Sequence, residues 1–167
     1  MRNKGEYRIL KADESMLSRV IEFDRGISWE FVDKEYNNQS YDDFVETHKE
    51  VFTLLHNLPG REAFFIAEAN TGEIIGLAWV KETWDTVNYI KQAYVYDLEV
   101  NASHRGKGLG KRLLNESIQY IKNLGLQKIA LRVELYNTNA IAFYLKQGFK
   151  PTALIMEKKL FKDGLIK

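Results

Sequence analysis

The chain has 167 residues, 45% of them hydrophobic and 28% charged, which predicts one globular domain over residues 1–167 and excludes a disordered or low-complexity protein. It contains no cysteine, so a disulfide framework, a thiolate metal site and a cysteine nucleophile are excluded, and no metal is expected. A formal net charge of +1 argues against a nucleic-acid partner, and the absence of a signal core or long apolar run predicts a soluble, cytoplasmic protein without a membrane partner.

The first predicted elements are one strand and two helices. The strand covers Glu6 to Leu10, and Asp13 is placed to cap an amphipathic helix whose apolar residues begin at Met16. Ser40 can cap a second helix, which ends before the turn signal of Pro59-Gly60.

Three strands follow these helices. Ala63 to Ala69 and Ile74 to Glu82 flank the turn Asn70-Thr71-Gly72, which is typical of a β-hairpin. The third strand runs from Ala93 to Val100. Strict alternation would place Tyr94, Tyr96, Leu98 and Val100 on one face and Val95, Asp97 and Glu99 on the other.

The remaining elements complete a mixed architecture. A third helix ends at Gly125, and a strand over Lys128 to Glu134, a helix over Asn137 to Gln147 and a last strand over Thr152 to Leu160 come after it. The order β-α-α-β-β-β-α-β-α-β predicts an α/β (α+β) fold, with a mixed, mostly antiparallel sheet flanked by helices on both faces.

A glycine-rich loop connects the Ala93–Val100 strand to the third helix. Its sequence is Arg105-Gly106-Lys107-Gly108-Leu109-Gly110, followed by Lys111. Glycine permits close backbone approach, and the free N–H groups of a helix N-terminus favour phosphate; a simple surface turn is the alternative. Arg112 stands where a P-loop needs Ser or Thr, and Lys111 where the dinucleotide fingerprint needs glycine, so both nucleotide-binding motifs are disfavoured.

The loop resembles the Arg/Gln-x-x-Gly-x-Gly/Ala motif of the GCN5-related N-acetyltransferases (GNAT), and the element order is similar to that of the family over nearly the whole chain. A second motif supports the resemblance. Residues 137–149, from Asn137 through Tyr144 to Gly148-Phe149, are similar to the family's Asn-x-x-Ala-x-x-x-Tyr-x-x-x-Gly-Phe helix. The resemblance implies acetyl-CoA as the acyl donor.

The resemblance also implies a role for each motif residue. The coenzyme pyrophosphate is expected on the backbone of the loop, and Asn137 on the pantetheine arm, which enters where the fourth and fifth strands separate. Main-chain groups of Leu98 and Val100 should face the pantetheine and the acetyl carbonyl, and Tyr144 should be the acid that reprotonates the coenzyme sulfur. The expected coenzyme-binding residues are Leu98, Val100, Arg105, Gly106, Lys107, Gly108, Leu109, Gly110, Lys111, Asn137 and Tyr144.

The general base is left open by the sequence. Asp97 and Glu99 share one strand face, where two nearby carboxylates would raise one pKa, although a solvent-facing edge would give the same pattern. Glu82 and Glu134 are further options. The histidines His48, His56 and His104 show no constellation with a nucleophile, and His104 is interpreted as a loop side chain.

The C-terminal region departs from the family pattern. Met156-Glu157-Lys158-Lys159-Leu160 follows Phe149 after only a few residues, which leaves too little chain for the family's two final strands. Either the last hairpin is abbreviated or a second copy supplies the partner strand, so a homodimer is one prediction.

The distribution of charge bears on the acceptor. Residues 1–60 carry eight Lys/Arg against twelve Asp/Glu, and the remainder carries sixteen against eleven. Either helix faces have drifted in charge, or a cationic ligand binds near the acidic residues Asp24, Glu30, Asp33, Glu35, Asp42 and Asp43. The leading hypothesis is an N-acetyltransferase acting on a primary amine, such as a polyamine or another cationic small amine. Acetylation of a protein α-amino group or lysine, and a non-catalytic acyl-CoA sensor, are the alternatives.

Overall fold

The computed structural model describes residues 7–34 and 36–160 and divides the chain into two compact units, residues 1–132 and 133–167. Among the described residues, the first unit contains five strands and three α-helices, and the second contains one α-helix. Glu6 and Glu35, which the sequence analysis names, lie outside the described residues. None of the helices within the described ranges combines the length and the apolar character needed to cross a membrane.

The first unit is built on one sheet with strand order β1-β2-β3-β4-β5. The strands from β1 to β4 pair antiparallel, and β5 pairs parallel with β4. Their bounds are Tyr7–Lys11, Glu62–Ala69, Ile74–Asp85, Ile90–Val100 and Ile129–Leu131. The mixed, mostly antiparallel sheet is therefore confirmed.

Helices cover both faces of this sheet. Helices α1 (Leu17–Ser28) and α2 (Tyr41–Asn57) enclose a core on one face that contains Val20, Phe52, Ile66, Leu77 and Trp79. Helix α3 (Leu109–Asn123) buries its apolar stripe in the core of the other face, which contains Phe65, Val80, Val95, Leu109 and Leu113. The predicted two-faced arrangement is confirmed.

The predicted helix caps are present. Asp13 accepts a hydrogen bond from the Ser15 N–H at 2.9 Å in a short 3₁₀ turn that leads into α1. Ser40 Oγ accepts from the Asp43 N–H at 3.2 Å, which satisfies a free donor at the start of α2. At the other end of α2, buried Lys81 donates to the carbonyls of Leu55 and His56.

A β-bulge at Tyr96 changes the faces of β4. Trp79 pairs with Asp97 and Val80 pairs with Val95, so Tyr96 is an extra residue without a counterpart on β3. Leu98 and Val100 consequently pack on the α3 core together with Val95, whereas Tyr96 packs on the α1–α2 core. The alternation predicted for this strand is right through Tyr96 and wrong from Asp97 onward.

The C-terminal region differs from the prediction in two places. The predicted strand over Lys128 to Glu134 is only the three-residue β5, and the described residues 152–160 form no strand. Leu154, Ile155 and Met156 are 62% to 90% exposed, and in the described chain this segment has no ladder partner. An apolar strand pattern without a neighbouring strand does not form a sheet, because its backbone groups stay paired with water. The second unit contains α4 (Thr138–Lys146).

Candidate active site

Three carboxyl groups meet on the α1–α2 side of the sheet. Because of the Tyr96 bulge, Asp97 and Glu99 of β4 lie on this side, where α1 supplies Asp24. One carboxylate oxygen from each of the three lies within 4.8 Å of the others. The structure brings together two of the four candidate bases and one acidic residue of the first third, at a spacing that suits a cation.

Asp24 is buried and is hydrogen-bonded to His48, for which the sequence predicted no partner. His48 Nε2 lies 2.7 Å from Asp24 Oδ2, and the His48 side chain is only 9% exposed. His48 stands four residues after Phe44 and four before Phe52 on the buried stripe of α2. A polar residue inside such a stripe is the sequence signal for a buried partner, although its identity depends on the packing of α1 against α2.

The surroundings raise the pKa of both β4 carboxyls. Burial is the main cause of the rise for Asp97, and the negative charge of Asp24 adds to it. Burial and the charges of Asp97 and Asp24 raise the pKa of Glu99 to about 10, although the Arg105 guanidinium lowers it in part. The solvent-facing strand edge is therefore not the environment of this pair.

A cavity of about 170 Å³ adjoins the carboxyl cluster. The polar part of its wall is formed by Asp24, Ser28, His48 and Asp97, and the apolar part by Val51, Phe52, Leu55, Trp79 and Tyr96. The Trp79 ring is fixed by a 2.7 Å hydrogen bond from its Nε1 to Glu62 Oε1. Its centroid lies 4.5 Å from that of Phe52 and 4.8 Å from that of Tyr96.

The glycine-rich loop begins the α3 helix with two left-handed residues. Gly106 has φ +76° and Gly108, the N-cap, has φ +78°, conformations that an L side chain rarely adopts. No side chain caps this helix, and its first turn has no acidic residue. Leu109 anchors the turn in the core, and Lys107 and Lys111 are exposed beside it. The free N–H groups and the nearby cations suit an anion such as a pyrophosphate.

The C-terminal end of β4 leads into this loop, and within the described residues it has no ladder partner on its β5-facing side. Arg105 Nε donates to the Val100 carbonyl at 2.9 Å. Among the described residues the β4–β5 ladder runs only from Ala93 to Val95, five residues short of the end of β4. The β5-facing side of β4 is therefore free of ladder pairing at Leu98, where a narrow group with amide donors and acceptors could pair with the strand.

The two residues of the second motif lie on α4 in the second unit. Asn137 is the N-cap, and its Oδ1 accepts from the Ala140 N–H at 3.1 Å. Tyr144 is half-buried, and its ring makes edge contacts with Phe143 and Phe149 at centroid distances of 5.2 and 5.5 Å.

The other candidates lie in structural pairs or outside the cluster. Glu82 binds Arg61 and Lys91, and the Arg61 hydrogen bond holds the pKa of the Glu82 carboxyl below its usual range. His56 pairs with Glu62, and His104 contacts Ser103 in the loop. Glu134 is exposed in the second unit.

Comparison with known proteins places this chain in a family. The model of the acetyltransferase (GNAT) family matches residues 27–149, so the chain belongs to the GNAT family. A solved structure of a Pyrococcus furiosus protein assigned as an acetyl transferase has 39% identity and a TM-score of 0.85, covering 93% of this chain and 100% of its own.

Two curated relatives show how far the similarity extends. The N-alpha-acetyltransferase of Sulfurisphaera tokodaii is 28% identical over 166 residues, 95% of this chain and 88% of its own. The uncharacterized N-acetyltransferase YycN of Bacillus subtilis is 31% identical over 91 residues, 54% of this chain and 57% of its own. The chain spans about half the length of several curated relatives that it matches.

Proposed function

We propose that this chain is an acetyl-CoA-dependent N-acetyltransferase that acts on a primary amine. The carrying observation is that one continuous segment holds both parts of such a site. Asp97 and Glu99 lie on β4, and the same strand continues through Arg105 into the glycine-rich N-terminus of α3. The family match extends across both units, which supports one catalytic domain over residues 1–167.

The residues present fit the coenzyme. Backbone N–H groups of residues 106–111 would bind its pyrophosphate, assisted by Arg105, Lys107 and Lys111. The unpaired side of β4 at Leu98 and Val100 would run beside the pantetheine arm, and Asn137 would contact the same arm. The coenzyme would supply an acetyl group on a thioester, which a neutral amine attacks.

The chain's own groups would move the protons. An ammonium ion must lose a proton before its nitrogen can attack, and Asp97 and Glu99, in the ionised forms that a bound ammonium favours, are the candidate proton acceptors. A backbone N–H of the β4 end would stabilise the carbonyl oxygen as its charge grows, which supplies a few kcal/mol in other acyl transfers. We assign to Tyr144 the return of a proton to the sulfur.

The acceptor is a cation in this proposal, because the cluster that faces it is acidic. A polyamine, another cationic small amine and the α-amino group of a protein all meet this requirement. The last is favoured by the similarity to an N-alpha-acetyltransferase over 95% of the chain.

The proposal is tested by incubating the chain with acetyl-CoA and members of each amine class. We expect release of the coenzyme thiol together with the mass of an acetylated amine. The alternative of a non-catalytic sensor predicts that acetyl-CoA binds, as measured by calorimetry, but that no amine gives a rate above the buffer rate.

A further inference from the structure

The cavity beside the carboxyl cluster has two chemically different parts. His48, Val51, Phe52 and Leu55 lie on one face of α2, because they are three or four residues apart. From His48 to Leu55 the cavity wall follows the helix for roughly 10 Å, at about 1.5 Å per residue. The His48 end meets Asp24 and Asp97, whereas the remainder is aromatic and aliphatic.

The polar end has three buried polar atoms that lack a hydrogen-bond partner within the described chain. Asp24 Oδ1, His48 Nδ1 and Glu99 Oε2 are buried and have no hydrogen-bond partner among the described residues. Asp24 is 4% exposed, and its other oxygen is already bound to His48. Buried polar atoms without partners are costly, and a primary ammonium group would bring three N–H donors together with a positive charge that favours the ionised forms of the carboxyls.

The apolar part suits a hydrocarbon group. Phe52 and Trp79 are 3% and 2% exposed, and their rings pack together with that of Tyr96, so this part of the wall is apolar. The acidic residues of the cavity wall, Asp24 and Asp97, lie at the other end. Val51 is 48% exposed and marks the edge that solvent reaches. A cavity of about 150 Å³ holds a benzene molecule, so this one suits a group of about that size.

We propose that the acceptor is a primary ammonium compound whose neighbouring group is apolar, with the ammonium on Asp24, Asp97 and Glu99 and the apolar group against Phe52, Trp79 and Tyr96. This inference rests on the proposed function and narrows its acceptor. The shared chemistry occurs in a free alkyl or arylalkyl amine and at the N-terminus of a peptide that begins with an apolar residue. A polyamine fits less well, because its second ammonium would lose water among the rings without a carboxylate partner, and cation–π attraction offsets only part of that cost.

Three amines of graded structure test the proposal through kcat/KM with acetyl-CoA. Hexylamine carries one ammonium and an apolar chain, 1,6-diaminohexane has the same length with a second charge, and ethylamine lacks the chain. We expect hexylamine to exceed each of the other two at least tenfold. A peptide beginning with Leu, assayed beside one beginning with Asp, shows whether the apolar group belongs to a protein N-terminus. Equal rates for hexylamine and ethylamine, or a preference for the diamine, would overturn the proposal.

A charge placed at the apolar part should change this preference. Val51→Glu puts a carboxylate at the exposed edge of the cavity, so the ratio of hexylamine to diaminohexane kcat/KM should fall at least tenfold. Thr53→Glu is the matched control, since Thr53 is exposed and β-branched and lies about 200° around α2 from Val51. An equal effect of both variants would refute the placement of the apolar group.

Calorimetric binding of hexylammonium to the chain separates this inference from the proposed function. Binding that Val51→Glu weakens, without turnover of any amine, would support the site and reject the transferase. Turnover that favours diaminohexane over hexylamine would support the transferase and reject the apolar acceptor site. Mn²⁺ binding is the competing explanation. If Mn²⁺ binds tightly, if Asp97→Asn abolishes this binding and if hexylammonium does not displace the ion, the carboxyls form a metal site and the inference is overturned.

Discussion

At the scale of single residues, the most unusual groups are the two β4 carboxyls. Asp97 and Glu99 are held near each other and near Asp24 with raised pKa values, whereas a surface carboxylate would be ionised at neutral pH. Such an arrangement costs stability and is typical of a functional site. A cation bound among these groups would reverse the rise of both pKa values, because it favours their charged forms.

Replacing Glu99 should therefore stabilise the protein in a pH-dependent way. The pKa of Glu99 is about 10 in the folded protein, whereas the unfolded chain releases this proton near the ordinary value of 4.5, so stability falls as pH rises through this range. Glu99→Gln removes that loss. We expect its melting temperature to exceed that of the wild type by a margin that grows from pH 5 to pH 9, at roughly 2–4 °C for each kcal/mol.

Glu116→Gln is the control for this measurement, because Glu116 is exposed on α3. Thermal melts of the three proteins in matched buffers suffice. A Glu99→Gln margin that is constant with pH, or that has the opposite sign, would show that the carboxyl is ionised in the folded protein.

Tyr144 carries the second prediction at this scale. Tyr144→Phe keeps the ring that contacts Phe143 and Phe149 and removes the proton donor. If Tyr144 is the general acid, kcat should fall roughly 10²- to 10⁴-fold with little change in the Kd for acetyl-CoA. Tyr136→Phe, at a tyrosine that is 70% exposed, should leave both quantities unchanged. Wild-type turnover in Tyr144→Phe would assign the ring to packing alone.

At the scale of elements, the central feature is β4 with its bulge and the loop that follows it. The Tyr96 bulge places the carboxyls on the face of α1 and α2, and the strand leaves β5 after Val95 before it reaches the loop. The acceptor groups and the coenzyme-binding groups are consequently parts of one element. Their spacing is set by the backbone of a single strand.

A substitution at the N-terminus of α3 tests the coenzyme side of this element. Gly108→Glu puts a carboxylate beside the N–H groups assigned to the pyrophosphate, so we expect at least a hundredfold loss of acetyl-CoA affinity by calorimetry. Gly125→Glu is the matched control, since Gly125 also has a positive φ, also has open space at its Cβ position and follows the other end of α3. An unchanged Kd for acetyl-CoA in Gly108→Glu would show that the coenzyme does not bind at this loop.

The sequence predicted most elements but not the faces of β4. Periodicity, the Asp13 and Ser40 caps and the turn of residues 70–72 are local signals, and the structure confirms what they indicated. A bulge depends on how β3 and β4 pair, so strict alternation assigned Asp97 and Glu99 to the wrong side. The Asp24–His48 pair joins two helices and has no local signal beyond a polar residue in an apolar stripe.

At the scale of the whole molecule, the acidic residues of the first third divide between the buried cluster and the exposed surface. Asp42 and Glu46 are exposed on α2, whose inner face lines the cavity, whereas Asp24 is buried in the cluster. Asp43 accepts a hydrogen bond from Ser40 Oγ at 2.7 Å, so it also belongs to the helix cap. The segment 152–160 has exposed apolar residues. A homodimer in which a second copy supplies a strand therefore stays a prediction.

The exposed acidic residues should attract a cationic acceptor over a Debye length of about 8 Å at physiological salt. We expect kcat/KM for hexylamine to fall about two- to threefold as salt rises from low to high concentration. The double variant Asp42→Asn with Glu46→Gln should flatten this dependence while sparing the cap at Asp43. The same salt dependence in variant and wild type would show that these carboxylates do not attract the acceptor and only form a solvated helix face.

The most direct measurement of the central claim, that the β4 carboxyls form the acceptor site of an N-acetyltransferase, is kcat/KM for hexylamine in the wild type and in Asp97→Asn with Glu99→Gln. The substitutions preserve side-chain shape, and removing buried carboxyls should not lower stability. The account predicts acetylated hexylamine from the wild type and a loss of roughly 10²- to 10⁴-fold in the variant, with the Kd for acetyl-CoA within threefold. Equal rates in the two proteins would contradict it.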